Sequence, residues 1–436
     1  MSKKIIQVEE RPPLGQAIPL SIQHMFAMFG ASVVVPAMFG ISPAVVLLMN
    51  GLGTLFFILV TKGKAPAYLG SSFAFIGPAL IVIEKYGDFA YAQAGFVAVG
   101  ALGCVLALII WKFGSRWIDV VLPPAAMGPV VALIGLELAG TAAGNAGMLA
   151  TDGASIDPKA VIVFVVTLGV AVFGSVLFRK FFGVIPILIA IVVGYITACI
   201  CGLVDFEPVK QANIFQLPHF QLPKFNVNAM LTMVPVLLVI TSEHIGHQIV
   251  TSKIVGRDLL KDPGLHRSLF ADNFSTMVSG LVGSVPTTTY GENIGVMAMT
   301  RVYSVWVIGG AAVLSILSAF IGPFAALIQS IPGPVMGGIS ILLYGMIGAS
   351  GLRILVDSKV DFGRNRNIVM TAVVFVIGLS GITLKIGQIE LKGMVLACVV
   401  GMVLGLLFYI FDKLRISNDL EEDTPEQPEE TTEANL

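Results

Sequence analysis

The chain is predicted to be an all-α polytopic membrane protein with fourteen transmembrane segments in two inverted seven-segment repeats. Three observations predict this. Of 436 residues, 56% are hydrophobic and only 12% charged, and the mean hydropathy is +0.89, outside the usual range of soluble domains. The apolar residues gather in runs close to the roughly 20 residues that a spanning helix needs, with basic residues between them alternating in side. Similar short segments also recur about half a chain apart.

The runs lie near 15–35, 42–61, 67–83, 91–111, 118–138, 159–178, 183–203, 228–251, 268–284, 287–301, 304–327, 333–352, 367–383 and 391–412. Cytoplasmic loops carry the excess of Lys and Arg. With the N-terminus inside, Lys62, Lys64, Lys112, Arg116, Arg179, Lys180, Arg257, Lys261, Arg353 and Arg364 fall on the cytoplasmic side, against Lys85, Lys159, Lys210, Lys224, Lys385 and Lys392 outside. One crossing more or fewer would scramble this alternation, so both termini are placed in the cytoplasm. Residues 1–14 read as a short polar leader, without the continuous apolar stretch of a cleaved secretory signal. Residues 415–436, acidic and rich in Glu, Thr and Pro, are expected to be disordered. The polar connections 141–158 and 205–228 are expected to cap the outer surface. Net charge is -1, which argues against a nucleic-acid partner. Cys104, Cys199, Cys201 and Cys398 all fall in apolar runs and read as buried small hydrophobes, with no disulfide framework.

The repeat is faint. Leu122-Pro123-Pro124-Ala125-Ala126-Met127-Gly128-Pro129 resembles Ile331-Pro332-Gly333-Pro334-Val335-Met336-Gly337-Gly338, and the Pro-led stretch Pro66 to Phe73 parallels Pro286 to Asn293. Halves of seven crossings must be inverted, since seven is odd. Inverted repeats with paired broken crossings are the architecture of secondary transporters, with substrate bound near the midplane between the breaks. The stretch from Pro286 to Arg301 organises the rest: Pro, three β-branched Thr, Tyr and Gly make a poor helix and predict an irregular or extended backbone that then turns helical. At membrane depth such a backbone must be packed in protein or line a cavity. Glu292 would sit at the break, near the positive end of the helix that follows.

Ionisable groups inside spans are functional hypotheses by default. Glu243 and His247, four apart in the eighth run, share one helical face and can trade a proton. His244 points elsewhere and reads as structural. Two ligands at this spacing do not make a zinc site, and no metal or other cofactor is expected. Gln23 and His24, midway along the first run, are either an interhelical cross-link or a substrate contact. Asp272, Asn273 and Glu137 are secondary candidates, and Tyr344 carries a hydroxyl within reach of a cavity. No phosphate-binding loop occurs, so the reading is a transporter over residues 15–414 that is neither an enzyme nor driven by nucleotide hydrolysis.

Glu292-Asn293-Ile294-Gly295-Val296-Met297-Ala298-Met299-Thr300-Arg301 resembles the signature of the nucleobase/ascorbate transporter family: Gln, Glu or Pro, then Asn-x-Gly, four residues, Thr, and a final Arg, Lys or Gly. Gln23-His24, the Glu243/His247 pair and Gly70-Ser71-Ser72-Phe73 match the same family, especially its bacterial uracil carriers. The resemblance implies a core domain (about 15–111 and 228–327) and a gate domain (about 118–203 and 333–412), with short antiparallel strands in segments 3 and 10. It implies a proton-coupled nucleobase symporter of the bacterial inner membrane, commonly a homodimer. Within the family, Glu at the first signature position goes with uracil carriers and Gln with many purine carriers. By the same resemblance Glu243 and Glu292 would hold the base, and the amides of Phe73 and Gly291 would contact it. His247 would serve proton coupling with Glu243, and Ser72, Tyr290 and Tyr344 would lie close by. Gln23, His24, Asn293, Thr300 and Arg301 would form a supporting polar network. Uracil's flat edge offers N–H donors to carboxylates and carbonyls to free amides. Burying carboxylates beside a neutral ligand is costly unless one is protonated, so proton and base should favour each other's binding. The alternatives are a xanthine or urate symporter of the same plan and, in another class, an anion transporter, which Glu292 at the break disfavours.

Overall fold

The computed structural model describes residues 5–149, 156–179 and 181–417; the first leader residues, Lys180, part of the 141–158 connection and the tail from 418 lie outside the described residues. The first span is broken in two, α1 (Leu14–Ala27) and α2 (Phe29–Met38). Next, α3 (Pro43–Val60) opens on Ser42, whose hydroxyl accepts from Ala44 N, with Pro43 at the first helical position. The third run holds a strand, β1 (Leu69–Ser71), a single 3-10 turn, and only then α4 (Ile76–Tyr86). Asp88 caps α5 (Phe89–Phe113) through Ala90 N, 2.9 Å away.

The fifth run is displaced from its expected bounds. A short α6 (Arg116–Val121) stops before Pro123-Pro124, and the spanning helix is α7 (Pro124–Glu137), continued by α8 (Ala139–Asn145). A residue preceding proline is pushed out of helical geometry, and Leu122 is accordingly at φ -132°, ψ 78°. After α9 (Pro158–Leu177), α10 (Pro186–Ile200) and the short α11 (Glu207–Gln211), the second half opens with α12 (Val227–Met233) and α13 (Val236–Val255). Then come α14 (Leu265–Val282), β2 (Thr287–Thr289) and α15 (Gly291–Thr300). The chain closes with α16 (Val305–Ala319), α17 (Gly322–Gln329), α18 (Gly333–Asp357), α19 (Asn365–Leu379), a hairpin of β3 (Thr383–Ile386) and β4 (Ile389–Lys392), and α20 (Gly393–Lys413). Among the described residues, eight helical stretches are long and apolar enough to cross a bilayer.

Two sets of helices pack closely. In one, α5 lies on α14 and α3 on α16, with α1 beside α16; in the other, α7 lies on α18, α9 on α10 and α19 on α20. Each set depends on bare backbone at a crossing. A Cβ at Gly100 of α5 would stand 2.6 Å from Met277 N, and one at Gly135 of α7 only 2.0 Å from Tyr344 O. Apolar clusters built on Phe75, Phe96, Leu133 and Val395, and on Phe29, Val46 and Leu343, join the two sets.

The leader is more than a polar tether. Ile6 N donates to Arg301 O (3.1 Å), and Tyr303 N and Val305 N donate back to Ile6 O and Val8 O (2.9 Å each). Val8 is fully buried, Glu9 is ion-paired with Arg257, and the Arg11 guanidinium lies 3.9 Å from the Trp306 ring centroid. These residues form a strap across the ends of α13, α15 and α16. On the opposite face, residues 214–224 run over helix ends, with Gln216 N bonded to Phe320 O and Lys224 N to Ala90 O. There the β3–β4 hairpin, turned at Gly387 (φ 61°), reaches α4: Lys392 Nζ is 3.2 Å from Glu84 Oε2, and Lys85 donates to the Gln388 carbonyl.

Candidate functional site

Strands β1 and β2 pair antiparallel, Leu69 opposite Thr289, Gly70 opposite Thr288 and Ser71 opposite Thr287. The ladder is extended by Tyr290 N to Tyr68 O (3.1 Å) and Ser72 N to Pro286 O (2.9 Å). The unpaired edges must also be satisfied in an apolar interior. Thr54 of α3 accepts from Leu69 N at 2.9 Å, and Thr276 of α14 accepts from Thr287 N at 3.2 Å and donates to Thr287 O at 2.8 Å. Gly70 is required by what lies over it: a Cβ there would be 2.5 Å from the Tyr290 ring. The Tyr290 hydroxyl donates to Ser71 O at 2.6 Å. Tyr290 thus staples the strand pair.

Around this break the two halves bring their polar side chains together. Gly291 opens α15 with Glu292 in its first turn, where amide donors and the helix dipole favour a carboxylate or a polar ligand. Glu243 and His247, half-buried on α13, face the same place. Glu243 is within electrostatic range of Glu292 and Asp272, and a Cβ at Gly291 would stand 3.3 Å from His247 Nε2. Gly246, Gly291 and Gly295 are exposed, so the space beside them is open. Phe73, just after β1, sets its ring edge-on to Tyr344 of α18 at 5.9 Å and 82°. Tyr344 is buried, its hydroxyl 2.8 Å from Met38 Sδ. Ser72 is buried, and its Oγ has no hydrogen-bond partner among the described residues.

His244 does point away from Glu243, into a chain the sequence did not reveal. Its Nδ1 is 2.9 Å from Asp272 Oδ2 and its Nε2 2.9 Å from Ser268 Oγ, both on α14. Thr289 Oγ1 sits between the histidines, 3.4 Å from His244 Nδ1 and 3.1 Å from His247 Nδ1. Two intramembrane imidazoles near one carboxylate were the available signal, but without the facing of α13, α14 and β2 it could not be read.

Of the expected supporting network, His24 and Asn293 meet: Asn293 Nδ2 donates to His24 O (2.9 Å) and lies 3.1 Å from His24 Nδ1. Gln23 is buried on α1. Thr300 and Arg301 lie apart from them. Thr300 Oγ1 donates back to Val296 O, and Arg301, at φ 59°, ends α15 and takes Ile6 N. Glu137 accepts from Met394 N at 3.0 Å and so serves the start of α20. Two clefts of about 440 Å³ lie at the two faces, lined by Glu84, Lys85, Lys385 and Lys392 in one and Glu9, Lys64, Arg257 and Asp262 in the other. Neither holds a residue of the strand break.

Membrane-length apolar helices around two interrupted segments, paired at a carboxyl-bearing break, define a multi-pass membrane permease. The model of the permease family matches residues 15–387, and the chain belongs to that family. It is 55% identical over 415 residues to the uracil permease of Escherichia coli K12, covering 95% of this chain and 96% of that one. It is 55% identical over 422 residues to the uracil permease of Paenibacillus larvae, covering 96% of this chain and all of the relative. A solved structure of the murine anion transporter Slc26a9 in the inward-facing state superposes with a TM-score of 0.69 at 11% identity, covering 93% of this chain and 69% of that chain. At that identity the likeness is one of fold.

Proposed function

We propose that the protein takes up uracil by proton symport through alternating access. The observation that carries this is the packing of α13, which bears Glu243 and His247, against β2 and the first turn of α15, which bears Glu292, at the β1–β2 break, where the amides that follow each strand are available as donors. Carboxylates accept the two ring N–H groups and the amides of Phe73 and Gly291 donate to the carbonyls. Relatives named uracil permease, more than half identical over nearly the whole chain, support the same substrate. His247, beside Gly291, carries the coupling with Glu243. Holding carboxyl groups in an apolar interior next to a neutral base is least costly with a proton among them, so each ligand favours the other.

The eight long apolar helices, three shorter ones and α14, with the two interrupted segments, supply the fourteen crossings of two inverted repeats. In this reading α1–α5 and α12–α17 form the core, α7–α10 and α18–α20 the gate. The strap face is cytoplasmic, the membrane is the bacterial inner membrane and the working unit is a homodimer.

Equilibrium binding of labelled nucleobases to the purified protein at two pH values tests the proposal. Uracil is expected to bind more tightly at about pH 6 than at about pH 8, on either side of the imidazole range, and Glu292→Ala is expected to lose binding. Uracil affinity unchanged in that variant, or displacement by excess xanthine but not by unlabelled uracil, refutes the assignment.

A further inference from the structure

The buried chain on the far side of His247 has a direction, set by how many hydrogen bonds each atom can make. His244 Nδ1 has one in-plane site, and Asp272 Oδ2 takes it at 2.9 Å. This holds whether the proton between them resides on the ring or on the carboxyl. The Thr289 hydroxyl, 3.4 Å from the same nitrogen, therefore has no acceptor there for its hydrogen. His244 Nε2 is also engaged, by Ser268 Oγ at 2.9 Å, so the ring cannot turn over to free a nitrogen without losing a partner. The acceptor left to the Thr289 hydroxyl is His247 Nδ1, at 3.1 Å. A ring nitrogen that accepts does not carry the proton.

We infer that Asp272, acting through His244 and the Thr289 hydroxyl, holds neutral His247 as its Nε2–H tautomer, presenting an N–H donor to the space beside Gly291. Thr289, His244 and Asp272 are then positioning residues. Their arrangement follows the logic by which a second partner fixes the tautomer and aim of a working imidazole. The inference deepens the proposed function and rests on it for its consequence. Glu243 and Glu292 are acceptors toward a ligand, and His247 Nε2–H adds a donor for a carbonyl oxygen on that ligand. In this tautomer the free lone pair of the ring is on Nδ1, so a proton taken up by His247 adds there and turns the Thr289 hydroxyl from donor to acceptor, while Nε2–H stays directed at the ligand. The ring of His247 also faces the main-chain carbonyl of Thr289, which is the rival partner and would require a ring proton directed at the strand.

Nitrogen-15 NMR of histidine-labelled protein, with the His247 signals identified by their loss in His247→Gln, reads the tautomer directly. The wild type is expected to show Nε2–H, and Thr289→Ser to keep it. Thr289→Val, β-branched and of the same shape and so suited to the strand, is expected to show mixed tautomers and uracil uptake lower by about tenfold or more, the order seen when an orienting partner is lost. An Nδ1–H ring in the wild type overturns the inference even if no variant folds. So does a Thr289→Val protein with unchanged tautomer and unchanged uptake. A wild-type Nε2–H ring in a protein that binds no uracil overturns the substrate assignment and leaves the positioning chain standing.

Discussion

Tyr290 and Gly70 show how little freedom the centre of this molecule has. The tyrosine ring lies close against the bare Cα of Gly70 and its hydroxyl holds Ser71 O, so neither residue can change alone. Gly70→Ala must displace the ring or open the strand pair, and overpacking of this kind costs about 1–3 kcal/mol. A lower midpoint in thermal unfolding, together with weakened ligand binding, is the expected outcome. At this scale the sequence spoke clearly wherever a residue was chemically out of place. Glu243 and His247 share one face of an apolar run and Glu292 follows a stretch unfit for a helix, and those positions mark them. It spoke poorly of Tyr290, Thr289 and His244, because an aromatic, a hydroxyl and a second imidazole take their meaning from the neighbour they face. The resemblance puts Tyr290 close to a ligand, and in the structure its hydroxyl donates to Ser71 O, a contact that no local pattern announces.

The N-terminal strap joins elements far apart in sequence. Its main-chain bonds to residues 301–305 hold the end of α15, and the Glu9–Arg257 pair ties the same segment to the end of α13. The Arg257 guanidinium keeps the Glu9 carboxyl below its ordinary value of 4.5. A depressed carboxyl stabilises the folded form at pH above that ordinary value and loses its effect as pH falls through the depressed one. Both groups are largely exposed, so the contribution is small. Hydrogen exchange at the Tyr303 and Val305 amides, corrected for intrinsic rates, is expected to stay slow from neutral pH to about pH 4.5 and to quicken below it. Glu9→Gln should quicken it already at neutral pH; equal protection in that variant would show the ion pair to be irrelevant to the strap. Alternation of Ile6 and Val8 with Gln7 and Glu9 is a strand-like signal, too short to read without a partner edge. The β3–β4 hairpin escapes notice for a related reason: its alternating Thr383–Lys392 stretch, turned at Gly387, fills the short gap between two apolar runs and reads as a plain connection.

For the whole molecule, the sequence yielded the membrane class and the paired breaks because both are written in composition and local pattern. The packing of α5 on α14 and α7 on α18 was not legible, since bare backbone at a crossing looks like any other glycine until its neighbour is known. In the proposed cycle the two helix sets move against each other, and the contact of Glu84 with Lys392 closes the face opposite the strap. Joining positions 84 and 392 as cysteines with a short bis-maleimide, in a background lacking the four native thiols, is expected to stop uptake while leaving binding from the strap face intact. Continued transport by the joined protein would place the moving boundary elsewhere.

The pairing of Leu69–Ser71 with Thr287–Thr289 also bears on how the protein is made. When the ribosome has delivered β1 to the bilayer, the residues that will complete its ladder are still unsynthesised, and the whole second half must follow before that orphan edge is covered. Until then exposed amides sit among lipid tails, a state that invites capture by insertion factors or by degradation. In the proposed site neither half completes the ligand's surroundings alone, yet halves synthesised as separate chains in one cell have every complementary strand edge needed to find each other.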